Sequence, residues 1–72
     1  MNWDVIKADW KDFKGRARVE WGKLTDDELS RIRGNREQLE AAVQRRYGIA
    51  KAEAQQQVDE WAQKLKDLIE PK

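Results

Sequence analysis

The sequence lacks cysteine and histidine, and its 72 residues include only one proline and four glycines. Without cysteine, neither a disulfide framework nor a thiolate metal site is possible. Small secreted domains usually depend on disulfides, so their absence favours a reducing compartment. The absence of both thiol and imidazole also removes the usual nucleophile–base pairs, and Thr25 and Ser30 have no evident base beside them. We therefore expect no enzymatic activity.

Long hydrophobic runs are also missing. No apolar stretch approaches the roughly 20 residues that span a bilayer, and the first residues lack the basic and apolar regions of a signal peptide. The formal net charge is only +1, which gives no overall attraction to nucleic acid or membrane. These features predict a soluble, cytoplasmic protein.

Charged residues make up 40% of the chain, and the mean hydropathy is −1.06. Such a polar composition approaches that of disordered segments, but the near-zero net charge does not force the chain to expand. Four tryptophans are present, and large aromatic side chains contribute much of the buried area in a small core. We predict one folded domain over residues 1–72 with marginal stability.

Apolar residues recur at helical spacing in four segments, and no stretch alternates with period two. The prediction is an all-α fold, a small bundle of four helices over residues 3–21, 26–33, 36–47 and 50–69. Short connections between them imply that neighbouring helices pack together. The stripe of the first segment consists of Trp3, Ile6, Trp10, Phe13, Ala17 and Trp21.

Side chains typical of helix starts precede these segments. Thr25 with Glu28 predicts a capping box, and Asn35 with Gln38 repeats the arrangement. Asn2 is expected to cap the first helix.

Glycine and proline mark the ends of the predicted helices. Gly22, Gly34 and Gly48 each follow a helical segment, where the residue after the helix adopts positive φ. Pro71 is expected to close the last one. Gly15 lies inside the first helix, where glycine costs about 1 kcal/mol. Either another helix packs closely there or the helix bends, and the sequence leaves both alternatives open.

Two charged groups suit the helix dipole. The acidic run 26–28 occupies a first helical turn, and the sequence lacks the glycine and distal glutamate of an EF-hand loop. Arg31 with Arg33, and Arg45 with Arg46, lie at helix ends where cations are favourable. We interpret both groups as structural and predict no metal site and no cofactor.

The first helix carries a sharper pattern. Lys7, Lys11, Lys14 and Arg18 recur at steps of four, three and four beside the aromatic stripe. Such a stripe can follow phosphates or lie on an anionic surface. It can equally be a solvated edge or pair with the acidic last helix. The four tryptophans could stack on bases, but their places on apolar stripes favour the core, with Trp3 the one candidate for exposure.

Several segments in this order resemble the CsbD-like family of small bacterial stress-response proteins. They are Asn2-Trp3 and residues 10–15 (WKDFKG), 21–29 (WGKLTDDEL), 34–39 (GNREQL), 46–48 (RYG) and 54–61. Asp9 stands where the family pattern often has asparagine. The resemblance implies a bacterial, cytoplasmic, helical protein of the general stress response, without a known reaction, cofactor or catalytic residue.

The expected function is therefore non-enzymatic, through contacts with an unknown protein partner or as a hydrophilic protectant. The alternative is a binding module for nucleic acid or anionic membrane that uses Lys7, Lys11, Lys14 and Arg18. The expected state is a monomer or weak dimer, and a homodimer that buries the last helix against itself is a third possibility.

Overall fold

The computed structural model describes residues 3–69, without the side chains of residues 68 and 69. This part of the chain is all-helical and contains no strand. Asn2 and Pro71, predicted to cap the first helix and to close the last, lie outside it. The helices are α1 (Trp3–Ala8), α2 (Trp10–Glu20), α3 (Asp26–Ile32), α4 (Arg36–Tyr47) and α5 (Lys51–Ile69).

The prediction of one helix over 3–21 needs correction, because the chain is interrupted at Asp9. The backbone there has φ −115° and ψ 34°. The rings of Trp3 and Trp21 lie 6.1 and 5.2 Å from the ring of Trp61, and therefore no more than about 11 Å from each other. A straight helix would separate residues 3 and 21 by about 27 Å. The interruption lets α1 turn back toward the core.

The predicted N-caps of the middle helices are confirmed, and the reciprocal capping box is confirmed at Thr25 only. Thr25 and Glu28 form the reciprocal capping box, and the side chain of Asn35 accepts a hydrogen bond from the amide of Gln38. These bonds satisfy amide groups that the first helical turn leaves unpaired. They explain why α3 and α4 begin so soon after the preceding turns.

The glycines behave differently from one another. Gly34 and Gly48 adopt positive φ, as predicted, but Gly22 does not. Trp21 is the cap of α2, and its amide donates to the carbonyl of Ala17, so the helix ends without a left-handed residue. The αL cap of α3 is Arg33, with φ 54°.

Gly15 has neither of the predicted explanations. A Cβ at this position would meet nothing within 4 Å, so no helix packs closely there. α2 runs through Gly15, and the change of direction lies at Asp9. Gly15 is on the outer face of α2, exposed to solvent.

The core is arranged around Trp61 of α5. The rings of Trp3, Trp10 and Trp21 lie 6.1, 6.4 and 5.2 Å from its ring. Trp3 is half-buried and the other three tryptophans are buried, so the aromatic stripe is confirmed as core. Edge-to-face aromatic pairs stabilise beyond the area they bury.

Trp3 on α1 and Trp10 on α2 each donate a hydrogen bond from the indole N–H. The Trp3 indole N–H donates to the Gly34 carbonyl (2.6 Å), and that of Trp10 donates to the Leu29 carbonyl (2.7 Å). Both bonds satisfy carbonyls near the C-terminal end of α3, which the helix itself leaves unpaired. They fix α1 and α2 against α3.

Candidate functional site

The predicted basic stripe is divided by its partners on α3. Arg18 forms an ion pair with Asp26, at the start of α3. Lys14 Nζ lies 3.4 Å from the hydroxyl of Ser30, one turn further along α3. The carboxylate of Asp26 therefore neutralises the Arg18 end of the stripe, and no carboxylate pairs with Lys14 in the part of the chain described.

The other end of the stripe lies beside the α3–α4 turn. A Cβ built on Gly34 would lie 2.8 Å from the Cα of Lys7 and 3.3 Å from its Cβ and Cγ, so Lys7 packs directly on this glycine. Lys11 is exposed. Neither lysine has an ion pair with a carboxylate of residues 3–69.

Sequence reasoning missed two residues at this edge. Ser30 comes beside Lys14 because α3 runs back along α2, and Arg33, at the end of α3, precedes the glycine on which Lys7 packs. Arg33 is exposed and adjoins Gly34. Gly34 predicted the turn after α3. The sequence did not indicate which helix packs against this turn.

A shallow apolar groove of about 220 Å³ lies between α2 and α5, on the other flank of α2. Trp61 and Leu65 contribute its apolar floor, and Val19, whose side chain is 87% exposed, lies at its edge. The remaining lining residues are Arg16, Glu20 and Lys64.

The charges around this groove are only partly compensated. Lys64 Nζ lies 3.5 Å from a carboxylate oxygen of Glu20. Arg16 is exposed and has no ion pair within the described residues. The rim therefore carries one uncompensated positive charge beside an apolar floor.

A larger polar groove, about 720 Å³, lies between α4 and α5. Its prominent feature is Arg36, which pairs with Glu40 (2.9 Å) and with Asp59 (3.4 Å) and lies over the ring of Trp3. The hydrogen bond to Glu40 is the main reason that the pKa of Arg36 is raised. Glu40 is buried, and this network connects α1, α4 and α5, which is a structural role.

The acidic start of α3 is engaged in ion pairs. Glu28 lies 2.8 Å from Arg46 and 3.5 Å from Arg45, and its carboxylate also accepts from the amide of Thr25. The hydrogen bond from Arg46 is the main cause that lowers the pKa of Glu28 below its ordinary value. Arg45 and Arg46 thus connect α4 to α3, a contact that the helix-dipole interpretation did not predict.

Residues 3–69 offer neither a cluster of metal ligands nor a membrane-spanning helix. No group of three or more metal-ligating side chains occurs among them. None of their helices is both long and apolar enough to cross a bilayer.

Comparison with known proteins assigns the chain to a family. Residues 4–56 match the model of the CsbD-like family. The chain is 48% identical over 61 residues to the UPF0337 protein YjbJ of Escherichia coli O6:H1, covering 85% of this chain and 88% of that protein. A UPF0337 protein of Pectobacterium atrosepticum is 49% identical over the same shares.

A more distant relative covers almost the whole chain. A UPF0337 protein of Nitrosomonas europaea is 42% identical over 71 residues, which are 99% of this chain and 76% of that protein. The names of these relatives specify no reaction, ligand or partner. The family model matches most of this chain, and bacterial relatives are more than 40% identical to it. This chain belongs to the CsbD-like family.

Proposed function

We propose that this protein is a non-enzymatic component of the bacterial general stress response that acts by binding another protein at the groove between α2 and α5. The family supports the connection to stress. One observation supports the mode of action: Val19 is 87% exposed beside an apolar floor that contains Trp61. Among the large hydrophobic side chains described, only Val5, at 44%, also counts as exposed.

The size of the groove fits one apolar side chain of a partner. Burying a Leu, Ile or Phe side chain contributes about 1.5–3 kcal/mol. A contact of this size gives a weak, reversible interaction, because association also costs translational and side-chain freedom. A transient partner is therefore expected rather than an obligate subunit.

The charged side chains around the groove indicate which charge the partner carries. Lys64 and Glu20 neutralise each other, and Arg16 is left without a counter-ion among the described residues. A carboxylate next to the inserted apolar side chain would meet Arg16 and favour the correct orientation. The partner is therefore a protein segment with an apolar residue beside an acidic one.

The competing account is a hydrophilic protectant that needs no specific surface. The 40% content of charged residues supports it. It differs in one testable respect, because a protectant depends on bulk composition and a contact protein depends on the groove. We place either activity in the cytoplasm, and the protein there as a monomer or weak dimer.

The test is site-specific photo-crosslinking in stressed bacteria. A photoreactive amino acid replaces Val19 in one variant and Ala52, an exposed position on α5, in the matched control. The contact account predicts discrete protein adducts from position 19 and few from position 52. The partner identified in this way must then bind the purified protein, and Arg16→Glu must weaken that binding.

Two results would reject the contact account. One is an identical, diffuse set of adducts from both positions. The other is a partner whose binding to the purified protein is unaffected by Arg16→Glu and by Val19→Asp. If such a protein also protects enzymes during drying, the protectant account replaces it.

A further inference from the structure

A row of cations along α1, α2 and the end of α3 is left without carboxylate partners. The row, here called the basic edge, consists of Lys7, Lys11, Lys14 and Arg33, with the Ser30 hydroxyl beside Lys14. No ion pair joins these four cations to a carboxylate of the described chain. The contrast is with the cations that do have such partners: Arg18, Arg36, Arg45, Arg46 and Lys64.

The basic edge follows from the antiparallel packing of α2 on α3. Arg18 meets Asp26 at one end, Lys14 meets Ser30 in the middle, and Lys7 packs on Gly34 at the other end. Because the acidic residues of α3 are all in its first turn, its last turn has no carboxylate to pair with the lysines; it carries the Ser30 hydroxyl and Arg31, and Arg33 follows. The packing thus separates the neutralised Arg18 from three lysines without carboxylate partners.

The spacing suits a chain of anionic groups better than a single ion. Lys11 and Lys14 are about 4.5 Å apart along the axis of α2 at 1.5 Å per residue, and Lys7 lies on α1, beyond the break at Asp9, against Gly34. Phosphates along one strand of a duplex recur about every 3.4 Å of helix axis, so each of these lysines can meet a different phosphate. Lysine, arginine and hydroxyl groups are the usual donors to phosphate oxygens.

The burial of the apolar side chains favours a nucleic acid over a membrane. A helix that lies on a membrane inserts an apolar face into it. Here Ile6, Trp10 and Phe13 are buried in the core and cannot enter a bilayer while the protein is folded. The large hydrophobic side chains that α1 and α2 do expose, Val5 and Val19, are single residues rather than a continuous apolar face.

The same burial favours a duplex over a single strand. Proteins that bind single strands without sequence preference stack the bases on aromatic side chains. Trp10, Trp21 and Trp61 are buried, and the half-buried Trp3 packs on Trp61 and donates its N–H to Gly34. We propose that the basic edge binds the phosphate backbone of double-stranded nucleic acid without reading its sequence.

The surrounding charge limits the strength of this binding. Asp4 and Asp12 flank the lysines along α1 and α2, and the whole chain carries only +1. Binding at physiological salt is therefore expected at the weak end of the non-specific range, with a Kd of about 10⁻⁴ M. The activity does not rest on the α2–α5 groove, which lies on the other flank of α2.

The test is fluorescence anisotropy with a labelled DNA duplex of about 20 base pairs at about 20 and 100 mM salt. The site variant combines Lys11→Glu with Arg33→Glu. The matched control combines Lys23→Glu with Lys51→Glu, which are exposed, lie outside the basic edge and make the same change in net charge. Melting curves confirm that each variant is folded, and Lys11→Gln with Arg33→Gln replaces the site variant if charge reversal unfolds it.

The wild-type protein is expected to lose roughly 100-fold in affinity between the two salt concentrations, as three to four phosphate contacts require. The site variant should bind about tenfold more weakly at low salt and show about half the salt slope, while the control changes less than about twofold. Equal losses in both variants, or no duplex binding at low salt, would overturn the proposal. So would tighter binding to anionic lipid vesicles than to the duplex.

Discussion

At the scale of single residues, Gly15 and Gly34 have opposite structural roles. A Cβ on Gly15 would meet nothing within 4 Å. Gly15→Ala is therefore expected to stabilise the protein by about 0.5–1 kcal/mol, because alanine has less freedom to lose on folding. Thermal unfolding should show a rise of several degrees in Tm, at about 4–8 °C per kcal/mol for a domain of this size.

Gly34→Ala serves as the opposing control. The φ of Gly34 is +78°, and a Cβ there would lie 2.8 Å from the backbone Cα of Lys7. The substitution should lower the Tm by forcing α1 away from the α3–α4 turn. A lower Tm for Gly15→Ala would contradict the open space beside Gly15. A higher Tm for Gly34→Ala would contradict the close contact between Gly34 and Lys7.

The lowered pKa of Glu28 makes the stability of the protein depend on pH. Its pKa is lowered from the ordinary value of 4.5, mainly by the hydrogen bond from Arg46. A lowered folded-state pKa stabilises the protein above the unfolded pKa, and this contribution is lost as the pH falls through the folded pKa. Glu28→Gln should therefore reduce the free energy of unfolding at pH 7, by up to about 1 kcal/mol, and have little effect at pH 2.

Urea unfolding at a series of pH values measures this difference. Glu37→Gln is the matched control, since Glu37 is exposed and has no ion pair in the described chain. The two substitutions should differ near neutral pH and converge in acid. An equal effect of Glu28→Gln at pH 7 and pH 2 would contradict the assigned role of the Arg46 contact.

At the scale of elements, α1 is a short helix held by few contacts. Trp3 donates to the Gly34 carbonyl and packs on Trp61, and Ile6 is fully buried. Because α1 is separated from α2 at Asp9, we expect it to open locally before the rest of the protein unfolds. In hydrogen exchange, the amides of residues 7–9 should exchange faster than those in the middle of α5.

Trp3→Phe tests what holds α1 in place. It keeps an aromatic ring but removes the N–H donor, at a cost of about 0.5–1.5 kcal/mol. Exchange at residues 7–9 should accelerate about fivefold, whereas Val5→Ala, at a partly exposed position of the same helix, should change it little. Equal exchange rates in α1 and α5 of the wild-type protein would show that α1 does not open separately.

Much of the helical pattern followed from local chemistry. The capping pairs at Thr25 and Asn35 specify helix starts through bonds within four residues, so the sequence alone predicts them. The break at Asp9 depends instead on where the tryptophans must meet, which is a tertiary constraint. The left-handed conformation of Arg33 was not predictable from its own side chain, because residues other than glycine rarely adopt positive φ.

The candidate surfaces were predictable only in part. The spacing of Lys11 and Lys14 along one flank of α2 follows from the helix period. The break between Lys7 and Lys11, and the ion pair of Arg18 with Asp26, depend instead on how α1 and α3 pack against α2. The α2–α5 groove joins elements about 40 residues apart in sequence. Single-sequence patterns carry no information about such pairings.

At the scale of the whole molecule, stability depends on one central side chain. The Trp61 ring is approached by three other tryptophans, and a domain of this size has only about 4–11 kcal/mol of total stability. Trp61→Ala costs about 3–5 kcal/mol, a large share of that total, and should lower the Tm by more than about 10 °C. Trp61→Phe should retain the fold with a lower Tm.

Far-UV and near-UV circular dichroism distinguish these outcomes. The alanine variant is expected to lose helical signal and the near-UV tryptophan bands together, because the core is a single cooperative unit. A Trp61→Ala protein that melts with the wild-type Tm would contradict the central place given to this residue.

We propose that the molecule is a small folded scaffold whose apolar groove binds a protein partner during stress. Val19→Asp removes the apolar edge of that groove at a side chain 87% exposed, so it should leave the Tm nearly unchanged. Ala52→Asp places the same charge on the exposed face of α5. The two variants therefore differ in their surface and hardly in composition or stability.

The most direct measurement is survival of bacteria that lack their own copy of this protein and carry one of these variants, under the stress that induces it. The account predicts that Ala52→Asp restores survival and Val19→Asp does not, at equal protein levels. Equal rescue by both variants would contradict a role for the groove and leave bulk hydrophilic protection as the better account.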